Sequence, residues 1–272
     1  MKEPPKIIYK YRNWIDDHHK RMLTMNELYL TSPKKFNDPF DCRIGQNFSL
    51  LSQKEADEYV TNLAISKYAE VEKQGSDLAV VIRNFERRFA NKTEFQAKAD
   101  SQLFDIQDHC YGIFSCSRRW NSILMWSHYS ANHTGICIGF WWEKMMTLID
   151  KNIIGKCGDV SYATNFPKIK PRIARLDNEV MKRAFIQTHT KAKEWEYEEE
   201  YRFMHNNPEG IPESKRTIKV PNNFFAEVIL GVAIPNEYRD EIILICKEKG
   251  IPVYQAKKKK IKFEIKRQKV LI

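Results

Sequence analysis

The chain has no long apolar run: charged residues interrupt every hydrophobic stretch after a few positions, so nothing in it reads as a bilayer-spanning helix. Its start, MKEPPKIIYKYRNWIDDHHK, lacks the apolar core and small-residue cleavage site of a secretory signal, and a soluble, cytoplasmic protein is expected. Cysteine is sparse and unpatterned. Cys42, Cys110, Cys116, Cys137, Cys157 and Cys246 form no Cys-x-x-Cys and none sits near a His-x-x-x-His pair. Neither a zinc site nor a disulfide scaffold is therefore expected, and the thiols read as reduced and mostly buried. There is no Gly-x-Ser-x-Gly turn, which leaves a serine-hydrolase elbow unsupported. Repeats and low-complexity linkers are also lacking. Acidic residues all but vanish at the end: from Cys246 to Ile272 two glutamates face ten lysines and arginines, a net +8 out of +10 for the whole chain.

What is present is enough for a folded domain. The 272 residues are 42% hydrophobic, sufficient to bury a core. IIYKYR (7–12) and ELYLTS (27–32) read as short strands around one helix, and SPKKFNDPFD (32–41) as a turn-rich loop in which Pro33 and Pro39 stop both strand and helix. From about Ser52 to Asp108 glycine and proline almost disappear while alanine, leucine, glutamate and lysine dominate, which predicts two or three helices. YGIFSCS and GICIGFWW are β-like runs, and a helix is predicted over 172–195. EYRFMH, RTIKV and EVILGVAI follow as strands, then a helix from about Asn236 to Lys249 and terminal strands PVYQA and KIKFEIK. In the last, Ile261, Phe263 and Ile265 alternate with charged residues, a period of two that predicts a half-buried strand. The economical reading is one α+β domain over 1–272, with mostly antiparallel strands from both ends, a helical insert at 52–110 and a basic C-terminal strand region at 246–272.

Six groups of residues carry chemistry. In EWEYEEEYRFM (194–204), Glu198 and Glu200 would share one face of a strand about 7 Å apart, with Glu199 turned away. The alternative is a charged helix end balanced by Lys191, Lys193 and Arg202. Ser115 and Ser117 flank Cys116 at the end of a strand, so both hydroxyls would face one side with Cys116 in the core, where they either orient a ribose or a glutamate or simply end the strand. Arg12 ends the first strand with a guanidinium suited to phosphate, and Asn37 and Asp38 sit in a turn between Phe36 and Phe40. Trp126, His128 and Tyr129 give aromatic surface with one imidazole, fit to stack on a base or nicotinamide or to fill a core. Lys257, Lys258, Lys259, Lys260 and Lys262 either track nucleic-acid phosphates or form a solvated face.

Taken together, LYLTSPKKFNDPFD, FSCSRRWNSILMWSHYSANHTGICIGF, KAKEWEYEEEYRF and EVILGVAI resemble the bacterial family known as domain of unknown function 2971, from Tyr9 to about Ile234. The order of Arg12, Ser115-x-Ser117 and Glu198-x-Glu200 also resembles the Arg-Ser-Glu layout of NAD-dependent ADP-ribosyltransferases, with Cys116 in place of the usual hydroxyl residue and a long helical insert. That second resemblance implies a split, mostly antiparallel sheet with NAD as substrate. It implies Arg12 on the NAD phosphates, Ser115 ordering the site, Glu200 holding the nicotinamide ribose and Glu198 activating the acceptor. Ser117, Asn37, Asp38, Trp126, His128 and Tyr129 would complete the cofactor-binding surface. The expected activity is ADP-ribosyl transfer to RNA, DNA or a protein bound to it, by a bacterial toxin or anti-phage effector with an antitoxin partner.

Two other classes stand beside this one. A magnesium-dependent nuclease would use Asp38, Asp41, Glu198 and Glu200 as oxygen ligands, although no Glu-x-Lys follows. A non-enzymatic nucleic-acid or protein binding module would use Lys257 to Lys260 with Trp126, Tyr129, Trp141 and Trp142.

Overall fold

The alternating and apolar runs at the two ends of the sequence become strands and the Gly-poor middle becomes helices. The structure is a computed structural model describing residues 3–71, 77–171 and 179–271. In chain order the elements are β1 (Ile7–Arg12), α1 (Asp17–Thr24), β2 (Glu27–Tyr29), α2 (Gln53–Val71), α3 (Leu78–Ala90), α4 (Lys92–Cys110), β3 (Tyr111–Ser117), α5 (Ile123–Tyr129), β4 (Ile136–Trp141) and α6 (Trp142–Asp150). They continue with β5 (Lys156–Asp159), β6 (Ser161–Ala163), α7 (Val180–Thr188), β7 (Thr190–Ala192), β8 (Glu200–Asn206), β9 (Thr217–Lys219), β10 (Phe225–Leu230), α8 (Asn236–Lys249), β11 (Val253–Lys258) and β12 (Ile265–Lys269). Of the helix expected over 172–195, residues 172–178 lie outside the described residues, and α7 occupies only its middle.

Where one domain was expected, the chain divides into two compact units. The first comprises Met1–Phe36, His109–Tyr162 and Lys193–Ile272; the second comprises Asn37–Asp108 and Ala163–Ala192, so the helical segment shares its unit with a second stretch of chain.

The first unit is built on an eight-stranded sheet in the order β12-β11-β10-β4-β1-β3-β8-β5, antiparallel except where β10 runs parallel to β11. Its middle is weakly joined. β1 pairs with β4 at six consecutive positions, but with β3 only at Tyr9 and Ser117. Beyond that point Thr31 takes up pairing with β3 at Ile113, so β1 and β3 splay apart along the rest of their length. On one face Ile8, Phe114, Cys116, Ile138, Tyr201 and Val228 pack with Met22 and Leu23 of α1 and Ile242 of α8. On the other, Tyr9, Tyr11, Cys137 and Ile229 pack with Met125 and Trp126 of α5.

In the second unit, local signals set the helix starts. Ser52 and Glu55 form a reciprocal cap at the start of α2, with the Ser52 N–H donating to Glu55 Oε2 at 2.9 Å and the Glu55 N–H donating to Ser52 Oγ at 3.4 Å. Asp77 caps α3 by accepting from the Ala79 N–H. Phe48, Phe89 and Phe95 meet edge to face, with Phe48–Phe95 and Phe89–Phe95 centroids 5.1 and 5.0 Å apart.

The C-terminal strand needs correction. KIKFEIK is not one half-buried strand: residues 259–264 are the loop of a hairpin whose last registered pair is Lys258 with Ile265, leaving Ile261 92% and Phe263 100% exposed. Only Ile265 reaches the core. Lys257, Lys258 and Lys266 stay in β11 and β12, and the residues between them are spent on reversing the chain, which overrides the period of two. Ile265→Ala is therefore expected to lose about 2–5 kcal/mol in urea unfolding, whereas Phe263→Ser stays within about 0.5 kcal/mol of the parent.

Candidate active site

Glu200 begins β8, but Glu198 does not share its strand. It ends a 3₁₀ helix, Lys193–Glu198, and Glu199 between them adopts a left-handed φ of 41°. The simple two-residue alternation expected for Glu198-x-Glu200 is thus broken, because a strand cannot continue through that conformation. The kink is held from both sides: the Arg118 N–H donates to the Glu199 carbonyl at 2.9 Å, and Arg119 pairs with the Glu199 carboxylate at 3.0 Å. Its effect is to sink both neighbours, leaving Glu198 3% and Glu200 5% exposed.

Each buried carboxylate is fixed by a different partner. Arg202, two residues further along the same strand face, donates Nε to Glu200 Oε1 at 2.7 Å and Nη2 to Oε2 at 2.8 Å. Such a forked pair keeps the Glu200 charge compensated and its plane fixed. The Arg202 guanidinium in turn stands 5.4 Å from the centre of the Phe36 ring. The Glu200 backbone N–H donates to the Tyr162 hydroxyl at 2.8 Å, and burial raises the Tyr162 pKa far above its usual value, so that phenol stays protonated. Glu198 Oε1 accepts from the Tyr129 hydroxyl at 2.6 Å. Ser117 Oγ donates to the Glu198 carbonyl at 2.6 Å and accepts from the Arg119 N–H at 3.0 Å, bracing the turn from the neighbouring strand.

The register shows which residues share this face. Tyr9 stands opposite Ser117, Ser117 opposite Glu200, and Ser115 opposite Arg202. Residues directly opposite one another in a sheet point the same way. Ser115, Ser117, Glu200 and Arg202 therefore share one face, as the Ser-x-Ser spacing predicted, with Cys116 buried in the core behind them. Arg12, three residues beyond Tyr9 in a strand with unbroken register to β4, leaves by the opposite face. It does not stand beside Glu200.

On that opposite face sequence reasoning missed a cluster. Lys10, also on β1, donates from Nζ to the Ser115 carbonyl across the splay. Burial, reinforced by Arg12, pushes the Lys10 amine down to about 7; burial also lowers Arg12 to about 10, and burial with Arg12 lowers His19 to about 4. Arg12 Nε and His19 Nδ1 are buried with no hydrogen-bond partner among the described residues. The acid nearest His19 is Asp16, at 3.8 Å, which is itself occupied in capping α1. Close to the Lys10 amine, Arg12 Nε and the Nδ1 of a His19 ring that stays neutral at neutral pH thus lack partners among the described residues, a setting that suits an anion. The signal lay in the strand itself, where Lys10 and Arg12 interrupt the face begun by Ile8.

A Lys10 depressed from 10.5 to about 7 binds fewer protons folded than unfolded between those values, so its contribution makes stability rise with pH across that window. Lys10→Met is expected to remove this rise, stabilising the fold most below pH 7, as read by thermal melts in a pH series.

The other predicted residues are scattered. Trp126 is fully buried, its Nε1 donating to the Trp120 carbonyl at 2.8 Å and its ring meeting the edge of Tyr11. It supports α5 from the core and is not free to stack on a ligand, which corrects its assignment to the cofactor surface. His128 is exposed, with its ring 6.1 Å from that of Tyr197, and Tyr129 reaches Glu198. Asn37 and Asp38 belong to the second unit, where Asn37 is exposed and Asp38 turns its loop by accepting from the Phe40 N–H at 2.9 Å. Asp41, a nuclease candidate, lies 3.6 Å from Lys191. Among the described residues no group of three or more His, Cys, Asp or Glu side chains is placed to hold a metal ion. Lys257 to Lys260 and Lys262 are all exposed on the terminal hairpin.

The first unit is thus an α+β scaffold with a large, mostly antiparallel sheet and a braced acid pair at one end of β8. Within the chain, residues 125–203 match the family model described as Protein of unknown function (DUF2971), a segment that includes Tyr129, Glu198 and Glu200. The family resemblance seen in the sequence is borne out over that segment. No curated protein and no solved structure matches the chain. No helix among the described residues is long and apolar enough to cross a membrane.

Proposed function

We propose that the chain is an NAD-dependent ADP-ribosyltransferase, with nucleic acid or a protein bound to it as acceptor. The observation that carries the reading is the splay of β1 from β3, with buried carboxylates bracketed by hydroxyls on one face and, on the other, Lys10, Arg12 and a neutral His19, of which Arg12 Nε and His19 Nδ1 have no partner among the described residues. A dinucleotide needs both. Its diphosphate matches Lys10, Arg12 and His19, and its ribose hydroxyls match Glu200 and Glu198. The register of Ser117 against Glu200 and of Ser115 against Arg202 supports the Arg-Ser-Glu resemblance, while Glu198 outside β8 and Arg12 on the opposite face depart from it.

In this reading the bond from the ribose C1′ to the nicotinamide nitrogen breaks heterolytically. The electron pair leaves with nicotinamide, which becomes neutral, and the ribose passes through an oxocarbenium-like state. Glu200, its orientation fixed by Arg202, stabilises that positive charge, a role worth about 3 kcal/mol on the scale of single preorganised contacts. The acceptor nucleophile attacks C1′ and Glu198 takes its proton, with Tyr129 holding the carboxylate in place. The experiment is nicotinamide release from NAD by the purified protein with RNA, DNA or protein as acceptor. Absence of release with every acceptor, from folded protein, would overturn the reading.

A further inference from the structure

The terminal hairpin carries a feature that the acid pair does not use. Ile261 and Phe263 protrude from the 259–264 loop almost fully into solvent, although apolar side chains of this size are usually withdrawn from water. The loop holding them is ordered by its own contacts: the Lys259 N–H donates to the Glu264 carbonyl at 2.9 Å, and Lys259 pairs with the Glu264 carboxylate. The base of the hairpin is anchored by Arg267, which pairs with buried Glu227 and stands 5.0 and 4.6 Å from the ring centres of Trp120 and Tyr254. The tip is therefore a presented surface.

Beside it lies a groove of about 810 Å³, lined on one wall by Lys258 to Ile265 and on the other by Ile123, Val232, Asn132 and His133. Asn132 and His133 lie in a run of three left-handed residues after α5, with φ of 46°, 53° and 69° for Ala131, Asn132 and His133. His133 stacks on the buried Trp126 ring at 6.3 Å, its Nε2 lies 3.2 Å from Ser127 Oγ, and its Nδ1 is buried with no partner among the described residues. Apolar walls, an amide, an imidazole ring and a lysine rim make one combination.

We infer that this groove binds single-stranded nucleic acid, with one base seated between Phe263 and the Asn132–His133 wall and the lysines of the hairpin on the flanking phosphates. Stacking needs an aromatic face open to solvent, which Phe263 supplies, and an unpaired base, which a duplex does not offer. The lysines are compact charges suited to phosphate oxygens and carry no fixed fork for reading a base edge, so they add affinity without sequence preference. Burial lowers the His133 pKa, which keeps its ring neutral at neutral pH, so this wall adds no charge repelling or attracting the base. The inference deepens the acceptor part of the reading above, and it is tested without NAD so that the two can fail separately.

The test is fluorescence anisotropy with labelled single-stranded RNA, single-stranded DNA and a duplex of the same sequence, in a salt series. Tighter binding of either single strand than of the duplex is expected, the RNA and DNA arms naming the preferred sugar. Phe263→Ala should weaken single-strand binding about tenfold. Replacing Lys258, Lys259, Lys260 and Lys262 by alanine should reduce the slope of log affinity against log salt by about three. Lys247→Ala, on an exposed turn of α8, serves as the control and should change neither. Equal affinity for duplex and single strand, or a Phe263→Ala variant that binds like the parent, would overturn the inference; because Phe263 is fully exposed, its loss does not threaten folding.

Discussion

Glu200→Gln is expected to reduce nicotinamide release by about 10²- to 10³-fold and, in the same protein, to lower unfolding stability by about 3–5 kcal/mol. Both losses follow from one contact. The variant removes the charge that faces the ribose in the proposed mechanism, and it takes away the carboxylate that forks onto the Arg202 guanidinium, only 1% exposed. The two effects separate by design. Replacing the pair together, as Glu200→Leu with Arg202→Met, removes both buried charges and should restore most of the stability while leaving the activity lost. Urea unfolding of the three proteins measures the first effect and nicotinamide release the second. A Glu200→Gln protein with full activity and reduced stability would mean that the pair is purely structural.

Arg12→Ala is expected to raise KM for NAD by about 10- to 100-fold with kcat changed far less. It removes a charge-assisted contact to phosphates that are the same in the ground and transition states, which is uniform binding. The register places Arg12 on the face opposite Glu200, so it does not touch the bond that breaks. Inorganic pyrophosphate should inhibit the parent competitively with NAD and the variant much less. A fall in kcat with KM unchanged would place Arg12 in the reacting centre, against this geometry.

The sequence revealed elements better than it revealed their meeting. The strands around Tyr9, Phe114, Ile138 and Phe203 announced themselves by apolar runs, and α2, α3 and α4 by a long segment free of helix breakers, because those signals are local. The pairing of the Ser115–Ser117 strand with the strand that begins at Glu200 was implied only by order along the chain. Four features escaped it for physical reasons. The left-handed Glu199 depends on tertiary contacts from Arg118 and Arg119, and no propensity marks it. The opposite faces of Arg12 and Glu200 depend on a register set by one cross-strand pair. Lys10 and His19 become a cluster with Arg12 only once α1 folds over β1. At the terminal hairpin the period of two was present but the chain reverses within it to pair β11 with β12, so Ile261 and Phe263 ended in solvent.

The central claim is that the buried acid pair beside the β1–β3 splay performs chemistry on a dinucleotide. The most direct test is nicotinamide release from NAD by the parent and by the Glu200→Leu/Arg202→Met protein, each first shown to be folded, with single-stranded RNA and DNA and protein supplied as acceptors. The account predicts release by the parent that rises with one acceptor, and none by the double variant at comparable stability. Release that persists in the double variant, or no release by the parent with any acceptor, would contradict it.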